Sequence, residues 1–146
     1  MSRTTHELSL TDAAAAYARA HNTMDPSHLK GLLSEDFRYA SQWVFDEMEG
    51  AAAYLDYLAR KLEAIRSSGS AVTAELASTQ PYPMAPNRPV PCVVMAQEGK
   101  LIATVLIQVK DGRITRIDMC QIPPPQRCVG TGEYPGINGS KKGRQT

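Results

Sequence analysis

Tyr17 and His21, four residues apart, are the side chains in this chain best suited to move a proton. At helical spacing they stand one turn apart on a single face. A tyrosine hydroxyl can donate to a developing oxyanion, and an imidazole titrates near neutral pH and serves as acid or base. The same pair also reads as a half-buried aromatic with a backbone partner, beside a histidine that favours the dipole at a helix C-terminus. A second group, Tyr39, Ser41 and Trp43, alternates onto one strand face. It reads either as a pocket wall with polar handles on an apolar floor or as core packing with Trp43 over the mouth. Asp46, Glu47 and Glu49 cluster as paired carboxylates do in acid–base or metal sites. They equally suit a solvated acidic approach to the N-terminus of a following helix. Arg116 and Asp118 form an Arg-x-Asp pair that strand alternation turns outward. The histidines, His6, His21 and His28, are scattered, and no His or Cys spacing fits a metal site, so no metal or cofactor is expected.

The elements that position these residues follow from periodicity and stop signals. Thr11 and Asp12 are candidate caps for a helix from Asp12 to about Asn22, with Ala14, Tyr17, Ala18 and His21 on one face. Asp25-Pro26 starts a second helix that carries Leu29, Leu32 and Leu33 and ends near Ser34. Phe37–Ser41 and Trp43–Phe45 read as strands. A third helix runs from about Ala51 to Arg66, with Tyr54, Leu55, Leu58, Leu62 and Ile65 as its apolar stripe, and Ser67-Ser68-Gly69 stops it. Val72–Thr79 and Cys92–Gln97 are strands on either side of the Pro-rich crossing Pro81–Pro91. Glu98-Gly99-Lys100 and Lys110-Asp111-Gly112 are hairpin turns that join Leu101–Val109 and Arg113–Ile122 to this series. Alternation puts Ala103, Val105, Ile107, Val109, Ile117, Met119 and Gln121 on the concave face. Residues 123–146 are Pro-, Gly- and Ser-rich and read as a tail, disordered or lying on the surface.

A chain of 146 residues suits one domain that buries roughly 70% of its unfolded surface. Sixteen basic and fifteen acidic residues give a formal charge of +1, which leaves no electrostatic case for nucleic acid or an anionic membrane. No run approaches a membrane span, and no apolar core follows Arg3 as a secretory signal requires. A cytoplasmic setting with reduced Cys92, Cys120 and Cys128 is therefore expected. A disulfide between Cys120 and Cys128 that locks the tail is the alternative.

The segment Tyr17-Ala-Arg-Ala-His21-Asn22-Thr-Met-Asp25, then Leu33-Ser34-Glu35-Asp36-Phe37, then Gly50 before a helix, resembles the nuclear transport factor 2-like superfamily. That group includes SnoaL-like proteins, polyketide cyclases, ketosteroid isomerase, limonene epoxide hydrolase and scytalone dehydratase. The resemblance spans about Leu10 to Ile122. It implies an α+β cone, in the order helix-helix-strand-strand-helix-four strands, with a curved mixed sheet around an apolar cavity. It also implies a homodimer through the outer sheet face. Residues 1–9 would precede this domain, 10–122 would form it, and 123–146 would trail it. Ketosteroid isomerase places a tyrosine donor, an aspartate base and a protonated aspartate in its cone. The matching positions here are Tyr17, about Ser41 and near Val105, so one of the three parts is retained. The Asp-Arg-Asp set of the epoxide hydrolases is not evident on the inner face.

The resulting expectation is a small apolar or aromatic ligand held by Tyr17, His21, Tyr39, Ser41, Trp43, Val105 and Met119. If there is catalysis, it would be a cofactor-independent isomerase, cyclase or dehydratase step, with Tyr17 on an enolate-like oxygen and His21 moving the proton. The alternative is a non-catalytic dimerisation or protein-interaction module whose cavity is filled by its own side chains.

Overall fold

The first helix, α1 (Leu10–Asn22), is started by Ser9 rather than by Thr11 or Asp12. Asp12 N–H donates to the Ser9 hydroxyl at 3.0 Å, and Ser9 N–H donates to the Asp12 carboxylate at 3.4 Å. This reciprocal box stabilises the helix by about 1 kcal/mol. The far end of α1 is tied down by Asn22. Its side chain accepts from Ala74 N–H at 2.8 Å and donates to the carbonyls of Ala74 (2.8 Å) and Pro135 (2.9 Å). The computed structural model describes residues 8–41, 46–79 and 89–137.

Asp25 caps a single 3-10 turn, Pro26–Leu29, in place of the expected longer helix. Leu33 and Ser34, assigned to that helix from leucine spacing, instead open strand β1 (Leu33–Ser41), where Leu33 pairs with Ile114. Pairing across the sheet here outweighs a short run of helical spacing. The expected strand Trp43–Phe45 lies outside the described residues. The partner of β1 on that side is β2 (Met48–Glu49), which pairs with Arg38 and Tyr39. Helix α2 (Ala51–Ser68) follows, then β3 (Val72–Thr79), β4 (Val90–Gln97), β5 (Lys100–Lys110) and β6 (Arg113–Cys120). The two hairpin turns are as expected. Glu98 and Gly99 have φ of +52° and +81°, and Asp111 and Gly112 have +54° and +76°. Positive φ at both central positions matches the twist of the flanking strands, which is why glycine sits second.

The strands form one mixed, unclosed sheet in the order β2-β1-β6-β5-β4-β3-β7, where β7 is Val129–Gly130. Among the described residues only the β1–β6 pairing is parallel. α1 lies across β3 to β5, and α2 packs against β1. Between helices and sheet sit Ala103, Val105, Ile107, Ile117 and Met119, all buried, with Val109 partly buried beside them. The ladder slips between Gln108 and Val109, which brings Ile114 inward as well as Ile117 although the two are three apart. β6 stops at Cys120, short of the expected Ile122, and Ile122 is exposed.

The outer face carries a second, smaller apolar cluster of Ala77, Cys92 and Val94, against which Leu106 and Cys128 pack. Residues 123–137 lie on the sheet. Thr104 donates its hydroxyl to Pro123 O at 2.7 Å, Thr131 N–H donates to Leu76 O at 2.9 Å, and Leu76 N–H donates to Glu133 O at 3.0 Å. The folded unit thus extends past Ile122. No helix among the described residues is long and apolar enough to cross a membrane.

Candidate functional site

Tyr17 and His21 do meet. Their ring centroids are 4.3 Å apart at 37°, and both side chains are fully buried on the inner face of α1. His21 Nδ1 lies 3.1 Å from the Tyr17 carbonyl oxygen, which can only accept. Nδ1 therefore carries the proton, and Nε2 presents its lone pair to the interior. Neither Nε2 nor the Tyr17 hydroxyl has a hydrogen-bond partner. Each such buried orphan costs about 1–3 kcal/mol relative to a satisfied group.

Burial pushes the His21 pKa down to about 4, the nearby Lys61 ammonium adds to this, and the hydrogen bond to Tyr17 O opposes it. His21 is thus neutral at pH 7, which corrects the expectation of an imidazole poised to act as either acid or base. As it stands it can accept a proton but has none to give from Nε2. Burial, then the neighbouring Tyr54, Tyr39 and Tyr57, hold the Tyr17 hydroxyl well above its ordinary pKa, so it remains a donor.

Tyr39 is buried on β1, with its ring 4.8 Å from Tyr54 and 5.5 Å from Tyr57 of α2. Burial and Tyr57 raise its pKa, and a hydrogen bond from Ser41 opposes the rise. Tyr39 and Ser41 thus meet on one face of β1. Trp43, assigned to the same face, lies outside the described residues. Val105 is fully buried and Met119 nearly so, and the two are register partners on β5 and β6. Gln121 is half-buried and donates its side-chain amide to Ile102 O, so it serves the sheet rather than the interior.

Sequence reasoning missed Lys61 and Tyr57. Lys61 is half-buried on α2, and its Nζ sits 3.9 Å from Met119 Sδ and 5.9 Å from the Tyr57 ring centroid. Burial lowers its pKa. No carboxylate lies within salt-bridge distance of it among the described residues. The available signal was Tyr54, Tyr57 and Lys61 at offsets of three and seven, running beside the apolar stripe of α2.

The acidic cluster has a different role from either reading. Glu47 bonds Arg116 at 2.8 Å and Arg38 at 3.0 Å, and Glu49 bonds Arg38 at 2.9 Å. Arg116 also holds Asp118 with both Nε (2.8 Å) and Nη2 (2.9 Å). The carboxylates therefore link β2, β1 and β6 on the outer face and do not serve the α2 N-terminus. Arg116, its pKa raised by Glu47 and then Asp118, is a fixed cation in that network. The outward direction read for Arg116 and Asp118 agrees with this geometry.

All three cysteines are free. They gather on the outer face around Thr104: Cys120 Sγ lies 3.5 Å from Thr104 O, and Cys128 Sγ lies 3.7 Å from its hydroxyl. Burial drives the Cys92 thiol far above its ordinary pKa, so it is inert as a nucleophile. Among the described residues no group of three or more His, Cys, Asp or Glu is arranged to hold a metal ion.

An open cleft of about 240 Å³ lies elsewhere, between α1, β3, β4 and the C-terminal segment, against Thr11, Ala14, Leu76, Pro91 and Glu133. It contains none of the residues chosen from the sequence. Its lining is mainly apolar, with Thr11, Ser78, Thr131 and Glu133 as its polar residues.

No protein-family model matches the chain, and no curated relative matches it. Solved structures do. An NTF2-like protein of unknown function from Cytophaga hutchinsonii superposes with a TM-score of 0.51 at 18% identity, over 83% of this chain and 97% of that one. An uncharacterised protein with a cystatin-like fold from Caulobacter vibrioides gives 0.52 at 17%, over 76% and 86%. A proposed polyketide cyclase from Sinorhizobium meliloti gives 0.50 at 19%, over 71% and 89%. Identities this low speak for architecture alone. This chain has the α+β cone of the nuclear transport factor 2-like proteins, and the resemblance carried by Tyr17 to Gly50 holds at the level of fold.

Proposed function

We propose that this protein binds a small apolar or aromatic molecule inside its cone, between Tyr17 and His21 of α1, Tyr39 and Ser41 of β1, and the Val105–Met119 floor. The observation that carries this reading is the pair of unpartnered, fully buried polar atoms, Tyr17 Oη and His21 Nε2, side by side in an apolar interior. One is a donor and the other an acceptor, so a guest enol or hydroxyl could bond both. Such a pair also suits proton transfer next to a carbonyl. Tyr17 would donate to the developing oxyanion, and His21 would receive the proton. The chemistry that fits is a cofactor-independent isomerase, cyclase or dehydratase step. The reading includes a cytoplasmic setting, which three free thiols suit.

A second reading has its own observation. The rings of Tyr39, Tyr54 and Phe37 pack at centroid distances of 4.8–5.0 Å and fill much of the interior themselves. On that reading the cone is a non-catalytic module that assembles as a homodimer through its outer sheet face. Native mass spectrometry of the purified protein separates the two. A copurified metabolite that Tyr17→Phe releases supports the ligand-binding reading. A wild-type spectrum of bare protein, with no retention of aromatic probes, refutes it.

A further inference from the structure

Among the described residues Lys61 has no carboxylate within salt-bridge distance. It is held half inside the cone, between the Met119 sulfur at 3.9 Å and the Tyr57 ring at 5.9 Å, and neither can neutralise it. Removing an ammonium from water without a partner is costly, and most chains avoid it or supply a carboxylate. The carboxylates next to it in sequence or beside its Met119 contact, Asp56, Glu63 and Asp118, are committed elsewhere. Asp118 adjoins Met119 on β6, yet it faces outward and is held by both Nε and Nη2 of Arg116. Asp56 and Glu63, on the same helix, bond Arg60 at 2.8 Å and Arg66 at 3.7 Å. The positive end of Lys61 is thus left to the interior. That interior also holds the unpartnered Tyr17 hydroxyl and the His21 lone pair, both fully buried. The two sets of groups come from different helices, α1 over β3 to β5 and α2 over β1, and they flank the Val105, Ile117 and Met119 floor of the middle strands.

We propose that Lys61 is an anion-recognition subsite of the cone, and that the ligand is an apolar or aromatic carboxylic acid. Its hydrocarbon body lies on Val105, Ile117 and Met119. Its carboxylate sits at Lys61 Nζ and accepts from the Tyr17 hydroxyl. This deepens the reading under the previous heading and rests on it. Lys61 then selects acids over neutral analogues of the same shape, because an ammonium–carboxylate contact away from water is a charge-assisted hydrogen bond and a neutral hydroxyl makes only an ordinary one. A bound anion also stabilises the imidazolium form of His21, which burial in the apolar interior disfavours.

The test compares 2-naphthoate with 2-naphthalenemethanol, an acid and a neutral alcohol on one ring system. Their affinities are measured on the full chain, and the Met119 methyl NMR resonance reports whether the probe sits in the cone. The wild type is expected to bind the acid at least tenfold more tightly than the alcohol at pH 7. Lys61→Met is expected to bind both equally, and Lys61→Arg to keep the preference. The His21 ring is expected to titrate at higher pH in the acid complex than in the alcohol complex. Because this readout needs only wild-type protein, the proposal stays refutable even if Lys61→Met fails to fold. Equal wild-type affinity for the two probes, an acid preference that survives Lys61→Met, or an unmoved His21 titration overturns the assignment of Lys61 while leaving the cone a ligand site. Binding without a Met119 shift, or no binding of either probe, overturns the ligand-site reading and this inference with it.

Discussion

Acidification should unfold this protein through His21 before it does so through its carboxylates. The His21 pKa is about 4 in the fold against 6.5 for a free imidazole. Above pH 6.5 both folded and unfolded chains leave the ring neutral, so the group has no effect. As pH falls below 6.5 the unfolded chain takes up the proton and the folded chain does not, so stability falls until pH 4, where both bind it. The full difference is about 3 kcal/mol and roughly 2 kcal/mol is already lost at pH 5, a large share of a domain's usual 5–15 kcal/mol. The groups around the ring do not blunt this. Tyr17, Tyr39 and Tyr54 are neutral there, and Lys61 is cationic and works in the same direction. Asp25 and Glu47 have carboxyl pKa values lowered by hydrogen bonds from Ser27 and from Arg116, so their loss comes at more acid pH. The assay is urea unfolding at pH 8, 6.5 and 5 for the wild type and His21→Gln, whose amide can still donate to Tyr17 O without titrating. The wild type should lose about 2 kcal/mol more than the variant between pH 8 and pH 5. NMR titration of His21 in the wild type gives the same answer without a variant. Equal losses, or a His21 midpoint near 6.5, would refute the claim that the ring is dry and unpartnered.

Tyr17→Phe should keep or raise stability by up to about 1 kcal/mol, since it removes an orphaned hydroxyl from a buried site. On any substrate found for the protein it should lower kcat by about 100-fold or more. Undiminished turnover would remove Tyr17 from the chemistry. Asn22→Ala deletes three hydrogen bonds that join α1 to β3 and to Pro135, and should cost about 2–4 kcal/mol in urea unfolding. A loss below 1 kcal/mol would mean that the C-terminal segment is not held there. Cys92 should resist iodoacetamide in the folded protein and react on unfolding, read by peptide mass mapping, because it is fully buried with a raised thiol pKa.

The hairpins and inner face were legible because their signal is local. Alternation from Leu101 to Met119 has period two, and the Asp111-Gly112 and Glu98-Gly99 turns fix the register. The shared helix face of Tyr17 and His21 was legible for the same reason, being a matter of one helical turn, whereas the contact of their rings was not. What sequence did not disclose depends on partners far along the chain. Leu33 has helical neighbours, but its strand partner is Ile114. Asp46, Glu47 and Glu49 look free beside Gly50 because Arg38 and Arg116, which claim Glu47 and Glu49, arrive only with the sheet. Lys61 looks like any wet helical lysine until Met119 is placed under it. The low pKa of His21 is a property of its burial, which residue type does not state. The bulge that turns Ile114 inward has no composition cue at all.

The two-residue strands β2 and β7 close off opposite margins of the sheet. Without them β1 and β3 would each present a row of unpaired backbone N–H and C=O groups, the template on which chains add to one another strand by strand. At the β3 margin the Asn22 side chain takes Ala74, and the rest of that protection comes from residues beyond Ile122: Val129 and Gly130 pair with Ser78 and Ala77, and Thr131 and Glu133 take Leu76. A Gly-rich stretch that looks expendable in the sequence is thus a built-in guard against self-association. Shortening the protein at Ile122 would leave its cone chemistry intact on paper while uncovering a sticky strand.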